Sequence, residues 1–205
     1  AINLLIQAET EEGDGVLIQE PVYYPFGNSI RTQKRQVISS PLVLRDGRYE
    51  IDFADFERKA ADPMCRAFVL SNPHNPVGRV YTREELQRMG DICLKHNVFV
   101  IADEIHSDLI FPGHHHTVFA SLGEAYAKNC AVCHAPSKTF NLAGLSFSCI
   151  MIPDETHRQR FDAMFNRYCR ANPTFFAPVA AKAAWEHGEE WLKECLAYIQ
   201  GNEAF

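Results

Sequence analysis

Val98-Phe99-Val100-Ile101-Ala102, closed by Asp103, is the stretch whose reading decides the fold. Five apolar residues with no in-out alternation describe a strand covered on both faces, as in a parallel sheet wrapped by helices. Comparable runs flank it. Val16-Leu17-Ile18, Gln36–Ser40 and Ala67-Phe68-Val69-Leu70 stand upstream; Ala131-Val132-Cys133 and Phe147–Ile152 stand downstream. Helical stretches separate them: Pro25 to about Gln33, then Asp52–Ala61 opened by Asp52. Thr82-Arg83-Glu84-Glu85 is a capping box, with Thr82 at the N-cap and Glu85 reaching back. Leu86, Met89 and Cys93 then form one apolar face of a helix ending near His96. Asp154 to about Tyr168 and Phe175 to Gln200 are helical, the latter broken near His187-Gly188 and ended by the C-cap signal Gly201. The expected architecture is α/β, a three-layer, mainly parallel sheet flanked by helices, in one domain over residues 1–205.

Composition narrows the function. Of 205 residues, 46% are hydrophobic and 22% charged, enough for a sizeable core. With 20 Lys and Arg against 26 Asp and Glu, the net charge is −6. Nucleic acid and an anionic membrane surface are therefore not expected as main partners, since both need a basic excess. No apolar run approaches the ~18 residues of a membrane span, and no secretion signal opens the chain. Seven cysteines in apolar surroundings read as reduced thiols of a cytoplasmic protein. Ala1–Ile6 is apolar at helical spacing without an initiator Met, and the chain stops just after Gly201; both ends read as cuts in a longer protein.

In such sheets ligands bind beyond the carboxyl ends of the strands. Tyr23 follows the first run, Asn72 and Asn75 the Phe68 run, Asp103 the Val98 run, and Ser137-Lys138 the Ala131 run. An aromatic ring, an amide, a carboxylate and an amine facing one crevice are the groups that a pyridoxal phosphate site requires. The amine condenses with the aldehyde, the carboxylate keeps the pyridine nitrogen protonated, the amide steadies the ring oxygen, and the aromatic face stacks on the ring.

Three segments in order sharpen this reading: Asn72-Pro73-His74-Asn75-Pro76-Val77-Gly78, Ala102-Asp103-Glu104-Ile105-His106-Ser107-Asp108 and Ala135-Pro136-Ser137-Lys138-Thr139-Phe140-Asn141-Leu142-Ala143-Gly144. Asn75 precedes Asp103 by 28 residues, and Asp103 precedes Lys138 by 35. The series resembles the fold-type-I, class I/II aminotransferase superfamily, and within it the MalY/PatB-type cystathionine β-lyase (C–S lyase) branch. Gly13-Asp14-Gly15-Val16 and Pro21-Val22-Tyr23-Tyr24-Pro25 extend the likeness over nearly the whole chain.

The resemblance implies a partial large domain without the N-terminal arm and C-terminal small domain. Lys138 would hold pyridoxal 5'-phosphate covalently and Asp103 would pair with its ring nitrogen. Asn75 would contact the ring oxygen, Tyr23 would stack, and Ser137 would help bind phosphate. Ile105 would pack beneath the ring with His106 close by, and one of the Asn72-Pro73 and Asn75-Pro76 bonds would be cis. A small amino-acid substrate and a homodimer are implied with them, and the chain by itself would be a weak or inactive enzyme. Elimination of a thiol and transamination share the early proton removal, so lyase and aminotransferase both stay open. A non-catalytic interaction module on the same fold is a third reading. His134 stands where many relatives carry a small hydroxyl residue, which removes a phosphate contact or adds a cationic one. Ser146 is not the arginine of aspartate-aminotransferase-like members, in agreement with the lyase branch.

Ordinary alternatives accompany each residue. Lys138 alone reads as a solvent-facing lysine, Asp103 as a cap, Asn75 as an Asn-Pro turn former and Ser137 as a turn hydroxyl. Tyr23 competes with Tyr24 for the stacking role. Cys130-Ala131-Val132-Cys133 has no second pair and lies on a strand, unlike a zinc or thioredoxin motif. His114-His115-His116 reads as a solvated loop, and Gly13-Asp14-Gly15 as a turn rather than a dinucleotide loop.

Overall fold

The computed structural model describes residues 1–168 and 174–203. Five strands form a parallel array: β1 (Gly15–Ile18), β2 (Gln36–Ser39), β5 (Cys65–Ser71), β6 (Phe99–Asp103) and β7 (Cys130–His134). Strand β8 (Cys149–Met151) adds antiparallel to β7, giving the order β2-β1-β5-β6-β7-β8. A separate hairpin joins β3 (Val43–Arg45) to β4 (Arg48–Glu50). Helices α1 (Ile2–Glu9), α2 (Pro25–Thr32) and α6 (Glu155–Tyr168) pack on one face. On the other lie α3 (Phe53–Ala60), α4 (Arg83–Lys95) and the short α5 (Glu124–Lys128). Helices α7 (Phe176–His187) and α8 (Glu189–Glu203) follow.

The missing alternation has a direct cause. Val16, Ile18, Ala67, Val69, Phe99 and Ile101 point to a core with Leu5, Ile6 and Phe161. Their neighbours Leu17, Phe68, Leu70, Val100 and Ala102 point the other way, onto Phe56, Leu86 and Met89. Successive side chains on a strand take opposite faces, so two cores demand apolar residues at every position.

Local signals set the helix starts. Asp52 Oδ1 accepts from Ala54 N and Asp55 N, both at 3.0 Å. The capping box closes in both directions, Glu85 N to Thr82 Oγ1 at 3.2 Å and Thr82 N to Glu85 Oε2 at 2.8 Å. Between α7 and α8, a Cβ on Gly188 would meet Ala184 O and Phe140 Cε1 at 2.3 Å, so the close approach there requires glycine.

Two boundaries differ from expectation. Gly201 does not end a helix, because α8 runs through it to Glu203; one interior glycine costs about 1 kcal/mol without stopping propagation. The strand expected over Phe147–Ile152 shortens to Cys149–Met151, since Ser146 takes a left-handed φ of 52° and turns the chain just before the ladder. The β3–β4 hairpin was not foreseen, although Asp46-Gly47, both at positive φ, is a strong hairpin dipeptide. Among the described residues, no helix is long and apolar enough to cross a membrane.

Phe68 is fully buried and meets Phe56 edge-on at 5.0 Å. Phe68→Ala is expected to cost about 3–5 kcal/mol in denaturant titration. Leu44→Ala, on the exposed hairpin, should stay within about 0.5 kcal/mol. Equal losses would contradict the two-sided core.

Candidate functional site

The carboxyl ends of β1, β5, β6 and β7 open on one edge of the sheet. Ser71 and Asp103 are register partners, Asn72 N donates to Asp103 O at 3.0 Å, and Glu104 N donates to Cys133 O at 2.9 Å. The loops that leave β5, β6 and β7 therefore emerge side by side.

Asp103 ends β6 and accepts one hydrogen bond on Oδ1, from Ile105 N at 3.3 Å. Burial pushes its carboxyl up to about 6; the Ile105 N–H, and more weakly the Lys138 ammonium, pull the other way, and Glu104 adds to the rise. It lines a hollow of about 350 Å³ together with Tyr23, Ile105, His134 and Ser137. Tyr23 meets Phe26 edge-on at 5.6 Å and is 41% exposed, whereas Tyr24 is 77% exposed and lies outside the lining.

Asn75 and His106 line a different, larger hollow of about 670 Å³, with His74, Arg48 and Arg79. The single crevice expected for all seven residues is thus two hollows. Lys138 lines neither, yet its charge acts on a member of each set. It lowers Asp103, and it adds to the burial that holds His106 below the ordinary histidine value. Lys138 and Asp103 stand on the loop and strand end of neighbouring parallel strands, β7 and β6, at the same edge of the sheet.

The loop that carries Asn75 is held by groups that no motif singles out. His74 is buried, with Nε2 2.9 Å from Pro21 O and Nδ1 2.9 Å from Tyr81 Oη. A carbonyl can only accept, so Nε2 carries the proton and Nδ1 accepts from the Tyr81 hydroxyl. Burial, the largest cause, keeps His74 below its usual value, in keeping with a neutral ring. This contact ties the exit of β1, which leads to Tyr23, to the exit of β5. Asn72-Pro73 and Asn75-Pro76 are both cis, as is Glu20-Pro21.

A second tie spans the loop after β6. Glu104, 2% exposed, accepts from Phe119 N at 2.8 Å and from His116 Nε2 at 2.9 Å. The solvated-loop reading of the three histidines therefore holds for His114 and His115 but fails for His116, whose side chain is buried against that carboxylate. His134 Nδ1 lies 3.2 Å from Glu104 O and carries its proton there, while the ring stacks on Trp185 at 5.6 Å. Cys130 and Cys133 sit inside β7, where burial pushes both thiols up to about 12.

The fold and this edge can be set beside known proteins. The family model for aminotransferase class I and II matches residues 1–205. Cystathionine β-lyase PatB of Bacillus subtilis is 46% identical over 202 residues, covering 98% of this chain and 52% of that protein. The crystal structure of cystalysin from Treponema denticola, which contains a pyridoxal 5'-phosphate cofactor, superposes with a TM-score of 0.97 at 39% identity. That match covers 99% of this chain and 52% of cystalysin. The pyridoxal-phosphate-bound C–S lyase of Staphylococcus hominis gives a TM-score of 0.91 at 34% identity, covering 98% and 50%. The chain spans about half the length of the relatives it matches.

Burial of Asp103 has a measurable consequence. Its folded pKa lies above the unfolded one, so its contribution to stability is fully present below about pH 4 and is lost as pH rises through about 6. Relative to Asp103→Asn, the cofactor-free wild type should lose up to about 3 kcal/mol across that window. Urea titrations at a series of pH values would read the difference, and parallel curves for the two proteins would refute the burial argument.

Proposed function

The chain belongs to the aminotransferase class I and II family, and from that premise we propose that its protein is a pyridoxal-phosphate-dependent C–S lyase. It would cleave the Cβ–S bond of cystathionine-type amino acids. The observation that carries the reading is a half-buried carboxylate, Asp103, at the end of a central strand, lining one hollow with Tyr23, Ile105 and Ser137, the residue before Lys138. The 46% identity to a cystathionine β-lyase supports the lyase branch over the aminotransferase one.

The residues fit the cofactor. Asp103 is a half-buried carboxylate whose pKa desolvation raises and nearby N–H groups and cations lower, so a protonated pyridine nitrogen is a suitable partner. Tyr23 offers a half-exposed ring at the mouth of the same hollow, and Ser137 a hydroxyl for the phosphate. Ile105 adds an apolar side chain to the same lining, whereas Asn75 lines the other hollow and would reach the ring oxygen only from there. When bound, pyridoxal phosphate supplies the covalent link to the amino group and the electron-accepting ring that stabilises negative charge at the substrate Cα.

Around that chemistry the protein's groups handle protons and position. Lys138 Nζ would take the proton from the substrate Cα. Asp103 would hold a negative charge for the ring nitrogen, and Tyr23 would offer its ring for stacking. His106, held below its usual pKa chiefly by burial, stays neutral beside Lys138 and adds no competing positive charge. The Cβ–S bond then breaks with its electron pair on sulfur, and the thiolate is protonated as it leaves. Cystathionine and water would yield homocysteine, pyruvate and ammonia. A homodimer in the cytoplasm completes the proposal, resting on the family likeness and on the free thiols of the described residues.

With cystathionine and no added keto acid, the full-length protein should release pyruvate and thiol in equal amounts. Lys138→Ala should lower that rate by about 10³-fold or more and abolish borohydride-reducible cofactor attachment. Turnover that depends on an added keto acid would assign an aminotransferase instead. Attachment that survives Lys138→Ala would remove the lysine from its role.

A further inference from the structure

We propose that Thr139 and Asp108 form a positioning brace that sets where Lys138 stands relative to Asp103; the proposal rests on the cofactor reading above. Thr139 directly follows Lys138 and is 1% exposed. Its hydroxyl donates to Asp108 Oδ2 at 2.9 Å, across from the loop that begins at Asp103. Asp108 also faces the ring of His134, whose Nε2 lies 3.7 Å from the same oxygen, and neighbouring Ser107 Oγ lies 3.3 Å from His134 Nδ1.

Lys138 needs such a support from its neighbours. Among the described residues no hydrogen bond or ion pair holds its own amine, and the residue is exposed. Its backbone is fixed locally, by Phe140 N on Pro136 O at 2.9 Å and Leu142 N on Ser137 O at 3.1 Å. Those bonds shape the turn but do not orient it towards the Asp103 loop. That orientation falls to side-chain contacts between the loops, and among them the Thr139–Asp108 bond is the shortest, is charge-assisted, and has a buried donor. Removing the acceptor strands a buried hydroxyl, and removing the hydroxyl releases the turn, so either change frees the residue next to the amine.

Thr139→Val deletes the hydroxyl at nearly constant shape, and Thr139→Ser restores it. In the full-length protein, pyridoxal phosphate would be titrated, trapped with borohydride, and its adduct at Lys138 counted by peptide mass. Hydrogen exchange over residues 135–142 would be followed in the cofactor-free protein. Thr139→Val should need roughly tenfold more cofactor for half-labelling and exchange faster across the turn, with Thr139→Ser close to wild type. The double variant Thr139→Val/Asp108→Ala should be no worse than the worse single one, because both remove the same bond. Equal labelling by Thr139→Val and wild type, a Thr139→Ser protein as impaired as Thr139→Val, or additive losses would overturn the brace. Should Thr139→Val fail to fold, Asp108→Ala, at a side chain that is 28% exposed, carries the same comparison: a tenfold loss supports the brace and no loss overturns it. If wild type takes no adduct at Lys138, the cofactor reading fails separately. Exchange then decides the brace alone, faster in Thr139→Val than in Thr139→Ser if it exists and equal in both if it does not.

Discussion

A sheet with apolar cores on both faces has nowhere to put a charge except its ends, and Asp103 is the charge placed there. Val100 and Ala102 point to one core and Phe99 and Ile101 to the other, so the first position on β6 that can carry a carboxylate is the last. Even there the group is desolvated, with one backbone N–H for support. A carboxylate so held is destabilised until something positive approaches it. The amine of Lys138, on the loop that leaves the neighbouring parallel strand, is one positive group whose charge favours the ionised form. The hollow beside them leaves room for a further cation. Fold and chemistry meet in that one unfavourable placement, since the same sheet that forbids charge inside concentrates it at the edge.

Much of this was legible because its causes are local. An unalternating run such as Val98–Ala102 reports two covered faces, and Thr82 with Glu85 reports a helix start, each within a few residues. The polar residues that close the runs identify the ligand edge once the strands are known to be parallel. Spacing between Asn75, Asp103 and Lys138 then adds what no single motif holds. The antiparallel turn of β8 was less visible, since three partly exposed strand residues carry little pattern and Ser146, which bends the chain before them, carries no turn signal in sequence.

What the sequence withheld are contacts between residues far apart in the chain. His74 reaches Pro21 across 53 positions, Thr139 reaches Asp108 across 31, and His116 reaches Glu104 across 12. The first two join loops that leave different strands, and the third closes the loop after β6 on itself. No periodicity announces them, because a loop's side chains answer to the loop beside it rather than to their own neighbours. The same reason explains why one expected crevice became two hollows. Strand order places Asn75 and Asp103 on adjacent exits, but only loop conformation decides which cavity each one lines.

The alternation of burial along Ser137-Lys138-Thr139 shows how a site can be rigid and mobile at once. Thr139 is sealed against Asp108 while Lys138 is exposed, so the backbone beneath the lysine is anchored one residue away from an amine that no hydrogen bond or ion pair among the described residues grips. In the proposed reaction a lysine that yields its place to a substrate and then acts at Cα would need both properties. If the amine itself were pinned by an ion pair, its release would add to the barrier. If the turn beneath it were free, the amine would spend its time away from Asp103, and proximity is a large part of what an enzyme contributes. Anchoring the neighbour rather than the nucleophile satisfies both demands, and it does so with a short buried bond that costs the reacting group none of its freedom.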